Sequence, residues 1–144
     1  ARPGARRRFP CRFVVIPDIK RDKLAELFRS AAAMQGAIKK TGNALPAKAF
    51  KGPLLVAFVV NVLHGNTTES LISAGAALEQ FLLALKVQGF GAITLSDPSL
   101  KVPFFGGFLQ SPSEKLVAWI TIGTPAEGVT SAPETGEAPL SVWY

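Results

Sequence analysis

Hydrophobic residues fall along this chain in blocks whose spacing changes from one to the next, and the spacing predicts the elements. The run CRFVVI at 11–16 is short, rich in β-branched residues and preceded by Pro10, which predicts a strand. Pro17 and Asp18 end it, and Asp18 is placed to cap the helix that follows. Over 19–33, Ile19, Leu24, Leu27, Phe28 and Ala31 recur along one face, with Lys20, Arg21, Lys23 and Glu26 mostly opposite. That is the period of an amphipathic helix. The stretch 36–53 has glycine or proline at its ends and Gly42, Asn43 and Pro46 inside, the composition of an irregular connector. Pro53 then opens LLVAFVVNV, an apolar run without alternation, predicted as a strand covered on both faces of a sheet.

A turn at His64-Gly-Asn-Thr-Thr precedes the longest helical pattern, 69–87, with Thr67 or Thr68 placed to cap it. Leu71, Leu78, Leu82 and Leu85 lie at helical spacing, so a mostly buried helix is expected. Ala74, Gly75, Ala76 and Ala77 read as a small-residue face that another helix or a flat ligand can approach closely. Gly89 and Gly91 stop the helix and allow the next backbone segment to approach a planar or phosphorylated ligand. A strand is expected at 92–95, a helical turn at Asp97-Pro98-Ser99 and an aromatic loop at 104–108. A second buried strand follows at 115–122, closed by Gly123-Thr124-Pro125. The final segment has no periodicity and ends in Val142-Trp143-Tyr144, an arm expected to dock on something. Strand, helix, strand, helix, strand, strand implies a layered mixed α/β architecture.

A chain of 144 residues, 48% of them hydrophobic, suits one packed domain over 1–144. The longest apolar runs, 54–60 and 81–85, read as too short to cross a bilayer, so no membrane partner is expected. The basic start lacks an apolar segment with a cleavage site, so no secretory signal is expected there. A single cysteine, Cys11, fits a reducing, cytoplasmic setting. Residues 1–52 carry 13 Lys/Arg against three acids, whereas 53–144 carry three Lys against seven acids. Arg2, Arg6, Arg7, Arg8 and Arg12 form the densest cluster. Nucleic-acid binding needs such a cluster joined to an aromatic platform or a recognition helix, and neither follows it. A solvated basic terminus, or a patch for an anion, is the better reading.

Most self-contained catalytic chemistry is missing. His64 is the only histidine, which rules out a Ser-His-Asp constellation away from that turn. No CxxC, HExxH or cluster of carboxylates marks a metal site, and there is no phosphate loop of the GxxxxGK[ST] kind. Gly89-Phe-Gly91 follows a helix instead of opening one, unlike a dinucleotide fingerprint. Cys11 reads as a packed small hydrophobe. An enzyme built on this chain draws its reactive group from a cofactor.

Three segments carry a resemblance: AFKGPLLVAFVV, SAGAALEQFLLALKVQGFGAITLS and EKLVAWITIGTPAE. Together they resemble the FMN-dependent nitroreductase family, nearest to its small bacterial NAD(P)H nitroreductases. The opening FPCRFVVI is similar to that family's Gln-Pro-Trp-plus-strand segment, and EAPLSVWY to its tail. The resemblance implies an α+β fold, a mixed sheet flanked by helices, which forms a homodimer through its long central helix and holds FMN at the interface. It implies hydride transfer from NADH or NADPH to the flavin, then reduction of a nitroaromatic, quinone or similar small aromatic acceptor. Carried over by position, Thr94, Leu95 and Ser96 line the flavin beyond Gly89 and Gly91, residues 84–89 lie toward the nicotinamide, and Pro10 and Cys11 end the flavin loop. Family members begin with a helix bearing an Arg-Arg-Ser-type phosphate motif, and this sequence starts after it. Ala1 and Ala5 stand where an arginine and a histidine serve FMN, Phe9 where the glutamine is, and Cys11 where the tryptophan is. Arg6, Arg7 and Arg8 are the candidates to replace the phosphate-binding charge. A cofactor-poor binding protein of the same fold is the alternative.

Overall fold

Where β-branched residues run without interruption the chain is extended, and where apolar residues recur every three or four it is helical. The computed structural model describes residues 10–34, 47, 49–62, 67–95 and 109–128. Within them lie β1 (Cys11–Ile16), α1 (Arg21–Met34), β2 (Leu54–Asn61), α2 (Thr67–Val87), β3 (Gly91–Leu95) and β4 (Glu114–Gly123). His64, the turn at 97–99, the aromatic loop at 104–108 and the C-terminal arm lie outside the described residues. So does most of the 36–53 connector.

The four strands form one sheet in the order β1-β2-β4-β3. The α+β class holds, but the pairing among the described strands is antiparallel throughout, not mixed. The reason is topological. β2 and β3 run the same way and are joined through α2, and β4 inserts between them, so no parallel neighbours remain.

β2 is buried on both faces, as its unbroken apolar run predicts. Leu55, Ala57 and Val59 face a core completed by Leu24, Ala25 and Phe28 of α1 and by Trp119 of β4. Val56, Phe58 and Val60 face the opposite core, completed by Ala74 of α2 with Ala118, Ile120 and Ile122 of β4. Aromatic pairs tie each helix to the sheet. Phe28 meets Trp119 edge-on at 5.5 Å between ring centroids, and Phe81 stacks on Phe13 at 4.3 Å. A bulge opposite Phe58 and Val59 leaves Val117 without a register partner. It sets Leu116 and Trp119, three residues apart, in the same core.

Several local expectations are corrected. Asp18 does not cap α1. It sits in a 3-10 turn, Asp18–Lys20, that the helix continues, and its carboxylate lies 3.0 Å from Arg21 Nε. The tighter turn rotates Ile19 off the apolar face, leaving it 85% exposed. Arg21, read as part of the polar face, is instead buried. α2 is not mostly buried, since only Ser70 and Ala74 are. Its sheet-facing seam is Ala74, Leu78, Phe81, Leu82 and Leu85, while Leu71, Ile72, Leu83 and Val87 stay exposed. Ala74, Gly75, Ala76 and Ala77 do not share a face, because four consecutive residues wind most of the way round a helix. α2 is also long and apolar enough, by length and composition alone, to cross a membrane, with 11% of that window buried. Counting uninterrupted apolar runs missed it. One seam of α2 packs on the sheet, and its outer side is apolar as well.

Replacing Phe28 with alanine removes the ring that locks α1 to Trp119. Phe28→Ala is expected to lower the unfolding free energy by about 3–5 kcal/mol, read by urea denaturation.

Candidate functional site

The chain leaves α2 through a tight C-terminal cap. The Gly89 N–H donates to Lys86 O at 3.0 Å and the Phe90 N–H to Leu85 O at 2.9 Å, the paired bonds of a Schellman motif. Gly89 takes φ +85°, which a residue with a Cβ adopts only under strain, and nothing lies within 4 Å of where that Cβ would sit. Gly91 is small for another reason. Its Cβ position is met by the Pro125 ring at 3.4 Å, so this glycine makes room for the chain leaving β4.

Gly89, Phe90, Gly91, Ala92 and Ile93 line a groove of about 810 Å³, bounded opposite by Gly52, Pro53 and the end of β4. β3 pairs with β4 alone, so among the described residues it is an edge strand. Ile93 is 65% exposed and Phe90 is also exposed, which gives this edge an apolar rim. Thr94 is exposed, and Leu95 turns its side chain into the α1-side core. β3 runs from the groove toward the other end of the sheet, since Gly91 pairs with Gly123 and Leu95 with Trp119.

A second, more polar cleft of about 430 Å³ lies at that other end, lined by Cys11, Arg12, Asn61, Gln110, Ser111 and Glu114. Arg12 grips Glu114 bidentately, with Nε donating to Oε1 at 2.8 Å and a terminal nitrogen to Oε2 at 2.7 Å. The Gln110 N–H donates to the same Oε2 at 2.6 Å. Hydrogen bonding from Arg12 holds the Glu114 carboxyl below the usual carboxylate range, against the opposing effect of burial. The same bond raises the Arg12 guanidinium further above its ordinary value. Burial pushes the Cys11 thiol up, so it stays protonated at neutral pH and suits a packing role. Pro10 adjoins this cleft, and its carbonyl accepts the Asn61 N–H at 2.7 Å.

The structure therefore separates the residues singled out from the sequence. Gly89 and Gly91 sit at one end of the sheet, with Pro10 and Cys11 at the other. Cys11 aligns through Val60 with Lys115, and Gly91 with Gly123, roughly 26 Å apart along β4 at about 3.3 Å per residue. Three strand spacings, roughly 14 Å, separate β1 from β3 as well. Ser96, Arg6, Arg7 and Arg8 lie outside the described residues. Arg12, counted in the basic cluster, is committed to Glu114. No group of three or more His, Cys, Asp or Glu is poised for a metal among the described residues. Sequence reasoning missed the Arg12–Glu114 pair, because nothing in a 102-residue separation signals it.

The sequence pattern of the nitroreductase family matches residues 3–124. This chain belongs to the nitroreductase family. No curated protein sequence matches it. Among solved structures it is similar to the nitroreductase-like family protein from Bacillus cereus, at 21% identity and a TM-score of 0.69, covering 96% of this chain and 73% of that one. It is also similar to an iodotyrosine deiodinase bound to FMN and 3-iodo-L-tyrosine, at 16% identity and a TM-score of 0.60, covering 94% and 76%. The FMN-dependent nitroreductase NfnB from Mycobacterium smegmatis, in complex with NADPH, aligns at 16% identity and a TM-score of 0.59, covering 80% and 68%. At such identities these likenesses establish the fold.

Two measurements check this geometry. Gly89→Ala forces a Cβ into the left-handed region and is expected to cost about 1–2 kcal/mol in chemical denaturation, although there is room for the methyl group. The Glu114 pairing has a defined pH dependence. A depressed carboxylate contributes stability that is complete above its unfolded value and lost as pH falls through its folded one. Glu114→Gln is accordingly expected to cost about 1–3 kcal/mol at neutral pH, and the gap to the parent should close below the ordinary carboxylate range.

Proposed function

We propose that this chain is an FMN-dependent oxidoreductase that passes hydride from NADH or NADPH to a nitroaromatic, quinone or similar small acceptor. The observation that carries the reading is the strand β3 delivered by the Gly89 cap, an edge strand among the described residues, in a chain of the nitroreductase family. FMN needs a flat, mostly apolar slot, backbone groups for its pyrimidine edge and positive charge for its phosphate. The described residues fit the first two needs. Phe90 and Ile93 form the apolar rim, and the outer amides and carbonyls of β3 are free of strand partners among the described residues. For the third need Arg6, Arg7 and Arg8 are the candidates from the basic cluster, Arg12 and Arg21 being engaged within the fold, and Lys86 lines the groove itself.

When bound, FMN supplies a redox centre that accepts hydride from reduced nicotinamide and returns electrons to an acceptor. The chain's own part is to hold and orient. The Schellman cap fixes where β3 begins, and the edge of β3 without a strand partner among the described residues offers donors and acceptors at a fixed spacing. Thr94 stands exposed on β3, while Leu95 anchors the strand in the core. The deiodinase and NfnB complexes support FMN as the cofactor, and the NADPH in the latter supports a nicotinamide donor. The exposed apolar stripe of Ile72, Leu83 and Val87 supports a homodimer through α2. A second subunit also supplies a route for bringing Pro10 and Cys11 to a shared ligand despite their distance from Gly91. The lone cysteine supports a reducing, cytoplasmic setting.

The purified chain is expected to be yellow or to become so with added FMN, and then to oxidise NADH or NADPH in the presence of a nitroaromatic or a quinone. Visible absorption and the loss of nicotinamide absorbance are the readouts. A colourless chain that stays inert with FMN refutes the reading. A yellow chain without turnover supports the binding-protein alternative.

A further inference from the structure

We propose that Arg21 is a positioning residue for the glycine turn: through the Gly52–Pro53 corner it sets the floor on which the start of β3 is registered. The inference rests on the flavin reading for its functional consequence, though its geometry stands without it. Arg21 is 6% exposed, on a helix where its neighbours Asp22 and Lys23 face solvent. Its two terminal nitrogens donate to backbone carbonyls, one to Gly52 O at 2.8 Å and the other to Pro53 O at 2.7 Å. Both carbonyls belong to residues just before β2 begins at Leu54, outside the strand ladder. A planar guanidinium reaches two acceptors at once, which a single ammonium does not reproduce.

The corner held in this way is packed against β4 with almost no clearance. Gly52 has φ +68°, and a Cβ on it would stand 3.3 Å from Thr121 Cβ. A Cβ on Gly123 would stand 3.0 Å from the Pro53 ring. Gly123 is the strand partner of Gly91, and Gly91 in turn receives the Pro125 ring. Gly52, Pro53, Gly91 and Gly123 all border the same groove. One buried cation on α1 therefore fixes a contiguous contact chain that ends at the turn opening β3. Asp18 lies 3.0 Å from Arg21 Nε but is 88% exposed, so it assists the cation without holding the corner.

The test uses the full chain with Arg21→Lys and Arg21→Met, and with Asp18→Ala and Leu24→Val as controls. Leu24 lies one turn further along the same helix, in the core beneath it, and donates no hydrogen bond to the corner. FMN affinity is read by quenching of flavin fluorescence, stability by urea, and the flavin-free fold by backbone amide shifts. Arg21→Lys is expected to weaken FMN binding about tenfold or more, because small misplacements of a binding constellation are costly. It should also move the amide signals of Gly52, Gly91 and Gly123. Leu24→Val and Asp18→Ala should leave both readouts close to the parent, even where stability falls. The proposal is overturned if Arg21→Lys leaves the glycine amides in place, or if it weakens FMN no more than Leu24→Val at matched stability. Should Arg21→Met fail to fold, Arg21→Lys decides. If the parent chain binds no FMN, the functional reading fails, and the amide shifts alone still uphold or overturn the positioning role.

Discussion

The double-sided burial of β2 is the constraint from which the remaining architecture follows. Its backbone is paired on both edges, with β1 on one side and β4 on the other, so none of its interior amides is left without a partner in the ladder. Its side chains alternate between two cores, and each core needs its own cover. One helix is not enough. α1 closes one face and α2 the other, and the connection from β2 through α2 must land beyond β4, because the position beside β2 is taken. β3 therefore lies at the edge of the four described strands, with the groove at its start.

Two arginines show how the fold uses charge. Arg12 spans from β1 to Glu114 on β4 across the central strand, and Arg21 reaches from α1 to the carbonyls that precede β2. Both reinforce the edges of β2, one at each end of the sheet. Neither is free to meet a phosphate, so the positive charge available to a ligand is smaller than the basic N-terminal half indicates. Hydrogen bonds to charged groups are each worth about 1.5–3 kcal/mol, more than a neutral pair, which fits their use at the two ends where strand pairing runs out.

α2 carries apolar residues nearly all the way round. One seam is filled by the sheet, through Leu78, Phe81, Leu82 and Leu85, and the opposite stripe of Ile72, Leu83 and Val87 stays uncovered, Val87 being 88% exposed. A helix that is apolar all round is ordinarily enclosed on every side. Here the enclosure is half finished within one chain, the physical ground for proposing a second copy. The only fully buried side chains of α2, Ser70 and Ala74, are small and lie in its N-terminal half.

The sequence by itself determined the elements and their order. Periodicity located six of them within one or two residues, because hydrophobic spacing and the Gly89 stop act locally and leave a direct trace in the chain. It also determined that β2 is covered on both faces, since only a strand without a solvent face tolerates Leu54 to Val60 unbroken. Tertiary structure alone decided which residues meet. The bulge at Val117, the bond from Arg12 to Glu114 and the burial of Arg21 depend on partners far away in sequence, and no local pattern encodes them. Gly89 and Gly91, two residues apart and alike as letters, are glycines for different reasons. Gly89 answers to its own backbone angle, which the sequence shows as a helix stop. Gly91 answers to Pro125, which only the folded chain brings against it.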